Sequence, residues 1–139
     1  MITEACKIEL ARRAMEMRQM AYVPYSHFSV GAALLSKDGT VFTGCNVENA
    51  SFPAGLCAER VAMFSAAAAG HHAFEAIAVS GGKTGEPPVA HCLPCGMCLQ
   101  VMSEFCEGSF QVFLVESETE IEEYRLDDLL PHVFRSLNE

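Results

Sequence analysis

The sequence predicts a three-layer α/β fold, with one mixed sheet of about five strands flanked by helices. Three observations lead there. Segments of helical and strand-type period follow one another in the order α-β-β-α-β-α-β-β-α. Two apolar β-type runs flank Lys37-Asp38-Gly39, a hairpin signal. No repeat, low-complexity tract or linker interrupts the 139 residues, half of which are hydrophobic (50%), so residues 1–139 are expected to form a single domain.

Taken in order, residues from about Thr3 to Met20 predict an amphipathic helix. Thr3 suits the N-cap, and Ala5, Ile8, Ala11 and Met15 recur on one helical face. Pro24 disfavours helical geometry in the residue before it, so the aromatic-rich stretch 21–28 reads as an ordered loop. Strands are expected over Ser29 to Ser36 and Thr40 to Val47. A helix follows from Cys57 to about Ala69, with small alanines allowing close packing and Gly70 ending it. Ala76 to Ser80 reads as a short strand and residues 81–88, rich in Gly and Pro, as a loop. Cys95 to about Cys106 predicts another helix, Phe110 to Glu116 a strand, and Tyr124 to Leu126 a short edge strand. A brief helix is expected from Asp127 to Pro131.

Charge narrows the partners. The net charge is -9 and the pI near 4.9, which opposes nucleic-acid binding, where affinity rests on phosphate neutralisation. Lys7, Arg12, Arg13 and Arg18 cluster in the first helix, and beyond Lys83 only Arg125 and Arg135 remain, so no basic stripe forms. A small-molecule substrate is favoured. No run approaches the roughly 18 apolar residues of a membrane span, and the N-terminus lacks the basic and apolar regions of a signal peptide. Seven cysteines, an odd number, point to a reducing compartment, taken here as the cytoplasm, and to metal-binding or structural thiols. Cys6, Cys45, Cys92 and Cys106 are expected to be small buried hydrophobes, Cys92 lying nearest the stretches described next.

Two of those stretches concentrate chemistry: Cys57-Ala58-Glu59-Arg60 and Pro94-Cys95-Gly96-Met97-Cys98. Each opens a predicted helix, where partial positive charge and unpaired N–H groups favour thiolates. Three thiolates fill three of the four tetrahedral positions of a zinc ion and leave the fourth for water. Glu59, two residues from the first thiol, would reach that water without binding the metal, and Arg60 would offset the negative charge of the thiolates. A closed structural zinc site is the alternative, with Cys92, His91 or Cys45 as fourth ligand. A redox dithiol would need neither a third thiol nor a glutamate.

Over nearly its whole length the chain resembles the small homotetrameric zinc-dependent cytidine deaminases. The resemblance rests on these two stretches, on Tyr25-Ser26-His27-Phe28-Ser29-Val30-Gly31-Ala32-Ala33 and on Gly44-Cys45-Asn46-Val47-Glu48-Asn49-Ala50. A thiol or imidazole followed by x-Glu, with Pro-Cys-x-x-Cys downstream, marks zinc deaminases. The resemblance implies a cytidine deaminase-like fold and hydrolysis of cytidine and 2′-deoxycytidine to uridine and 2′-deoxyuridine, with release of ammonia, in pyrimidine salvage. It implies one Zn(2+) per subunit on Cys57, Cys95 and Cys98, with Glu59 carrying a proton from water to N3 and on to the leaving amine. It further implies that Asn46 and Glu48 hold the ribose 3′-hydroxyl, that the Ala58 N–H donates to the 2-carbonyl, and that Phe28 packs on the pyrimidine. Asn46 and Glu48 are two apart at a strand end and so point the same way, an amide beside a carboxylate. Phe134, and Phe52 where the family often has Tyr, would reach a neighbouring subunit's site in a homotetramer.

The chain also departs from the family pattern. Leu99 stands where the family usually has Arg, and Met97 where it has a small residue. Arg60 is therefore expected to be the main charge compensation. A deaminase of another cytosine nucleoside or nucleoside analogue is the alternative function, one expected to replace the Asn46/Glu48 pair that this chain keeps.

Overall fold

The structure, a computed structural model, describes residues 2–136. Residue 1 and residues 137–139, the ends of the span expected to form a single domain, lie outside the described residues. Helix α1 covers Glu4–Met17 and starts as the sequence predicts: the Thr3 hydroxyl accepts a hydrogen bond from the Cys6 N–H at 3.1 Å. Its predicted last turn is instead a 3-10 turn over Arg18–Met20. Strands β1 (Phe28–Ser36) and β2 (Val41–Cys45) form the expected hairpin, with Gly39 at φ +93° in the connection.

Helix α2 covers Ala58–Ala68, strand β3 Phe74–Lys83, helix α3 Gly96–Phe105, strand β4 Gln111–Val115, strand β5 Ile121–Arg125 and helix α4 Leu126–Leu129. Both cysteine stretches therefore begin one residue outside their helices, Cys57 and Cys95 being the N-caps. The five strands form one sheet in the order β2-β1-β3-β4-β5. The β3–β4 pair is parallel and the others antiparallel. A parallel pair needs a crossover, which α3 supplies.

Helices cover both faces, giving the three predicted layers. Leu10, Ala11 and Ala14 of α1 pack on Ala33, Leu35, Ala76, Ala78, Phe113 and Val115. Ala62, Met63 and Ala66 of α2 and Leu99 and Met102 of α3 pack on Ala32, Leu34, Ile77, Val79, Val112 and Leu114. The central strands are apolar on both sides because each side meets helices. Among the described residues no helix is long and apolar enough to cross a membrane.

Three expectations change in detail. Residues 81–83 continue β3 instead of opening a loop, with Phe28 opposite Lys83 and Ser29 opposite Gly82. Glycine in a strand marks a close approach by other groups, and here Arg18, Cys92 and Phe28 crowd the space that side chains at Gly81 and Gly82 would need. Strand β5 starts at Ile121, earlier than the polar run Glu122-Glu123 suggests, because an edge strand keeps charges in solvent. Helix α4 begins at Leu126, with the Arg125 N–H donating to Asp128 at 2.8 Å.

The register places the site. Cys45 at the end of β2 lies opposite Gly31, and Lys83 at the end of β3 lies opposite Phe28. The chain thus leaves β2 and β3 at the same edge of the sheet, beside the start of β1, and from there continues into α2 and α3.

Candidate active site

Gly44 brings α2 onto the sheet. A Cβ there would lie 2.3 Å from the Ala58 carbonyl oxygen and 2.6 Å from the Ala62 nitrogen, so only glycine lets the first turn of α2 rest on β2. That contact carries Cys57, Ala58 (fully buried) and Glu59 to the sheet edge. Cys95 caps α3 beside them, and the Leu99 N–H donates to the Cys95 carbonyl at 3.0 Å to close the first turn.

The sulfurs of Cys57, Cys95 and Cys98 all lie within 4.8 Å of one another. Cys57 Sγ is 3.8 Å from Cys95 Sγ, and Cys95 Sγ is 3.5 Å from Cys98 Sγ. Two sulfurs bound tetrahedrally at about 2.3 Å from one zinc ion stand about 3.8 Å apart, so the donor set fits that ion. Arg60 Nη2 donates to Cys57 Sγ at 3.4 Å, and Arg60 Nε is buried with no protein partner among the described residues. The Cys57 thiol is lowered to about 5, first by its hydrogen bond with Cys98 and then by those with Arg60 and Cys95. The same shared proton, together with burial, pushes Cys98 up.

Glu59 is 5% exposed. Burial raises its carboxyl to about 7, the negative charge of Cys57 adds to this, and Arg60 and the residue's own N–H oppose it. A carboxyl poised near neutrality both takes and gives a proton. Ala58 occupies the first helical position, where the backbone N–H has no partner within the helix.

The remaining predicted residues fall in three groups. Phe28 packs over Gly81 beside Cys92 and Val30: a Cβ on Gly81 would be 3.0 Å from its ring, 2.6 Å from Cys92 Sγ and 3.2 Å from Val30. Asn46 and Glu48 hold backbone. Asn46 Oδ1 accepts from the Val30 N–H and Nδ2 donates to the Phe28 carbonyl, both at 2.9 Å, extending the pairing of β1 beyond the end of β2. Glu48 accepts from the Tyr25 and Ser26 N–H groups, each at 3.1 Å, and from the Ser26 hydroxyl. Phe52 in the 3-10 turn Phe52–Ala54 is 90% exposed and Phe134 is 59% exposed, each a large apolar side chain left in solvent.

Cys92 is half-buried and packs against the core beside Phe28, in keeping with the small buried hydrophobe expected; burial pushes its thiol up to about 11, and the charge of Glu59 adds to the shift. The glycine pair at 81–82, read as a loop, was the signal that something needed that space. A groove of about 460 Å³, lined by residues including Lys37, His72, Phe105 and Arg125, opens at the opposite end of the sheet and holds no predicted site residue.

The family model for the cytidine and deoxycytidylate deaminase zinc-binding region matches residues 5–114. A cytidine deaminase of Sporosarcina psychrophila is 46% identical over 126 residues, covering 91% of this chain and 89% of that protein. One from Halalkalibacterium halodurans is 45% identical over 125 residues, covering 90% and 91%. The crystal structure of cytidine deaminase from Burkholderia pseudomallei superposes with a TM-score of 0.80 at 46% identity, over 96% of this chain and all (100%) of that one.

Proposed function

The chain belongs to the cytidine and deoxycytidylate deaminase family, and from that premise we propose that it hydrolyses the 4-amino group of cytidine and 2′-deoxycytidine. The products are uridine or 2′-deoxyuridine and ammonia, which places the reaction in pyrimidine salvage. The observation that carries this reading is the convergence of three thiols within 4.8 Å beside a buried carboxyl that is not one of them.

Cys57, Cys95 and Cys98 would hold one zinc ion per subunit. When bound, zinc supplies a water whose pKa is lowered to about 7. Glu59 would take a proton from the attacking water, deliver it to N3 of the base, and later carry a proton to the 4-amino nitrogen as the bond from C4 breaks and ammonia leaves. The Ala58 N–H donates to the 2-carbonyl and orients the ring. Phe28 packs against the pyrimidine. Asn46 retains one free N–H beyond its bond to Phe28, and Glu48 retains acceptor capacity beyond Ser26; together they take the ribose 3′-hydroxyl. Arg60 offsets the negative charge of the thiolates.

Residues 1–139 act as one deaminase domain in the cytoplasm, assembled as a homotetramer. Its exposed Phe52 and Phe134 complete the sites of neighbouring subunits, which accounts for two large apolar side chains standing in solvent. Loss of cytidine absorbance, followed with purified protein of measured zinc content, tests the reading. Turnover of cytidine that disappears on chelation and returns with zinc supports it. A zinc-loaded protein that leaves cytidine and deoxycytidine untouched contradicts it.

A further inference from the structure

The segment that delivers Cys95 is tied down in its first half, where the Val89 N–H donates to the Gly81 carbonyl at 2.8 Å and Arg18 donates to the Glu86 carbonyl at 3.0 Å, and is less held beyond it. Between Lys83 and Gly96 only Pro94 is buried, Pro88 and Cys92 are half-buried, and His91, Leu93 and Cys95 are exposed. Within it His91 has a φ of +64°, a left-handed conformation uncommon outside glycine. Its side chain meets β5. His91 Nδ1 lies 3.0 and 3.2 Å from the two carboxylate oxygens of Glu122. The Tyr124 hydroxyl donates to the same carboxylate at 2.8 Å, and its ring meets the imidazole edge-on at 6.3 Å. Glu122 and Tyr124 are two apart on one strand and so share a face. The Leu93 N–H then donates to the His91 carbonyl at 3.0 Å, turning the chain toward Cys95.

We propose that His91 is a positioning residue for the metal centre: its contact with Glu122 straps the segment carrying Cys95 to β5. This rests on the zinc reading above and extends it, since neither residue touches the cluster. Strand β5 is a firm anchor because it pairs with β4 along its whole length, from Ile121 to Arg125. The Glu122 carboxyl is lowered from its ordinary value by the hydrogen bond from His91 first and Tyr124 second, as a paired carboxylate is. Without the strap, the exposed ligand Cys95 leaves the cluster more often, and a bound ion is released faster.

The test uses the full-length protein. Zinc content is measured first, then the rate of zinc transfer to a chromogenic chelator. Glu122→Ala and His91→Ala are expected to release zinc about two- to fivefold faster, the range of an exposed ion pair. His91→Asn, which tolerates the left-handed backbone and still donates, is expected to stay near the parent rate. Glu123→Ala is the control: it removes the neighbouring Lys7–Glu123 pair (3.3 Å) on the other face of the same strand and should leave release unchanged. In zinc-stripped protein, Glu122→Ala should speed amide exchange over residues 86–95. Equal effects from Glu122→Ala and Glu123→Ala, or no effect from either on release or exchange, overturn the proposal. A parent protein without zinc refutes the metal reading instead, and the exchange comparison then decides the strap alone.

Discussion

Cys57 and Cys95 each cap a helix, and their sulfurs stand 3.8 Å apart. The residues come from two crossovers of the sheet, and Gly44 makes the approach of the first possible. The position of Cys57 follows from α2 resting on β2, whereas Cys95 stands at the end of the exposed segment 84–95.

Removing the carboxyl should stop the chemistry and spare the metal. Glu59→Gln is expected to lower kcat by at least about 10²–10⁴, the usual worth of a positioned proton carrier, with zinc content unchanged. Steady-state assays beside metal analysis check this. Near-full turnover in a zinc-loaded variant would remove Glu59 from its role.

Arg60 should matter more than a residue behind the ligands normally does. Leu99 follows the last cysteine and is buried in the apolar core, while Arg60 donates to Cys57. Arg60→Ala is therefore expected to weaken zinc binding at or beyond the upper end of the usual 10–100-fold. Competition with a calibrated chelator measures it, and undiminished affinity would count against the charge argument.

Gly44→Ala should dislodge the site by displacing α2. The new methyl group would fall 2.3 Å from a backbone carbonyl, which cannot swing aside. The expected cost is about 1–3 kcal/mol or more, as for overpacking, read by urea unfolding, together with a fall in kcat. A variant of unchanged stability would show that α2 has room this structure does not give it.

Glu48 gives a pH dependence with a definite sign. The Ser26 hydroxyl first, then the Ser26 and Tyr25 N–H groups, hold its carboxyl below the ordinary 4.5. A lowered folded-state value means that the contribution is fully present above about pH 4.5 and fades as pH falls through the lower folded value. In zinc-stripped protein, the stability gap between the parent and Glu48→Gln should be largest near pH 6–7 and shrink below pH 4.5. A gap that grows on acidification would reverse the assignment.

Much of this was legible because local chemistry and the global fold agree. Thr3 caps where a cap is needed, Asp38-Gly39 turns the hairpin, and Cys57-x-Glu59 with Cys95-x-x-Cys98 names a donor set whose convergence the α/β order allows. What was not legible depends on tertiary partners. Gly81 and Gly82 read as loop because their reason, the space needed by Cys92, Phe28 and Arg18, comes from other segments. Strand β5 hides behind Glu122-Glu123, whose charges suit an edge. The sequence reads Asn46 as an amide beside the Glu48 carboxylate; that the same amide also completes the pairing of β1, through Val30 and Phe28, is something no spacing announces. His91 and Glu122 are 31 residues apart, and nothing in either neighbourhood points to the other.

The central claim is a zinc ion bound by three thiolates with its fourth position open to water beside Glu59. X-ray absorption at the zinc edge of freshly purified protein measures that most directly. The account predicts three sulfur neighbours at about 2.3 Å and one oxygen at about 2.0 Å; a fourth sulfur, a histidine nitrogen from the chain, or no zinc at all would contradict it.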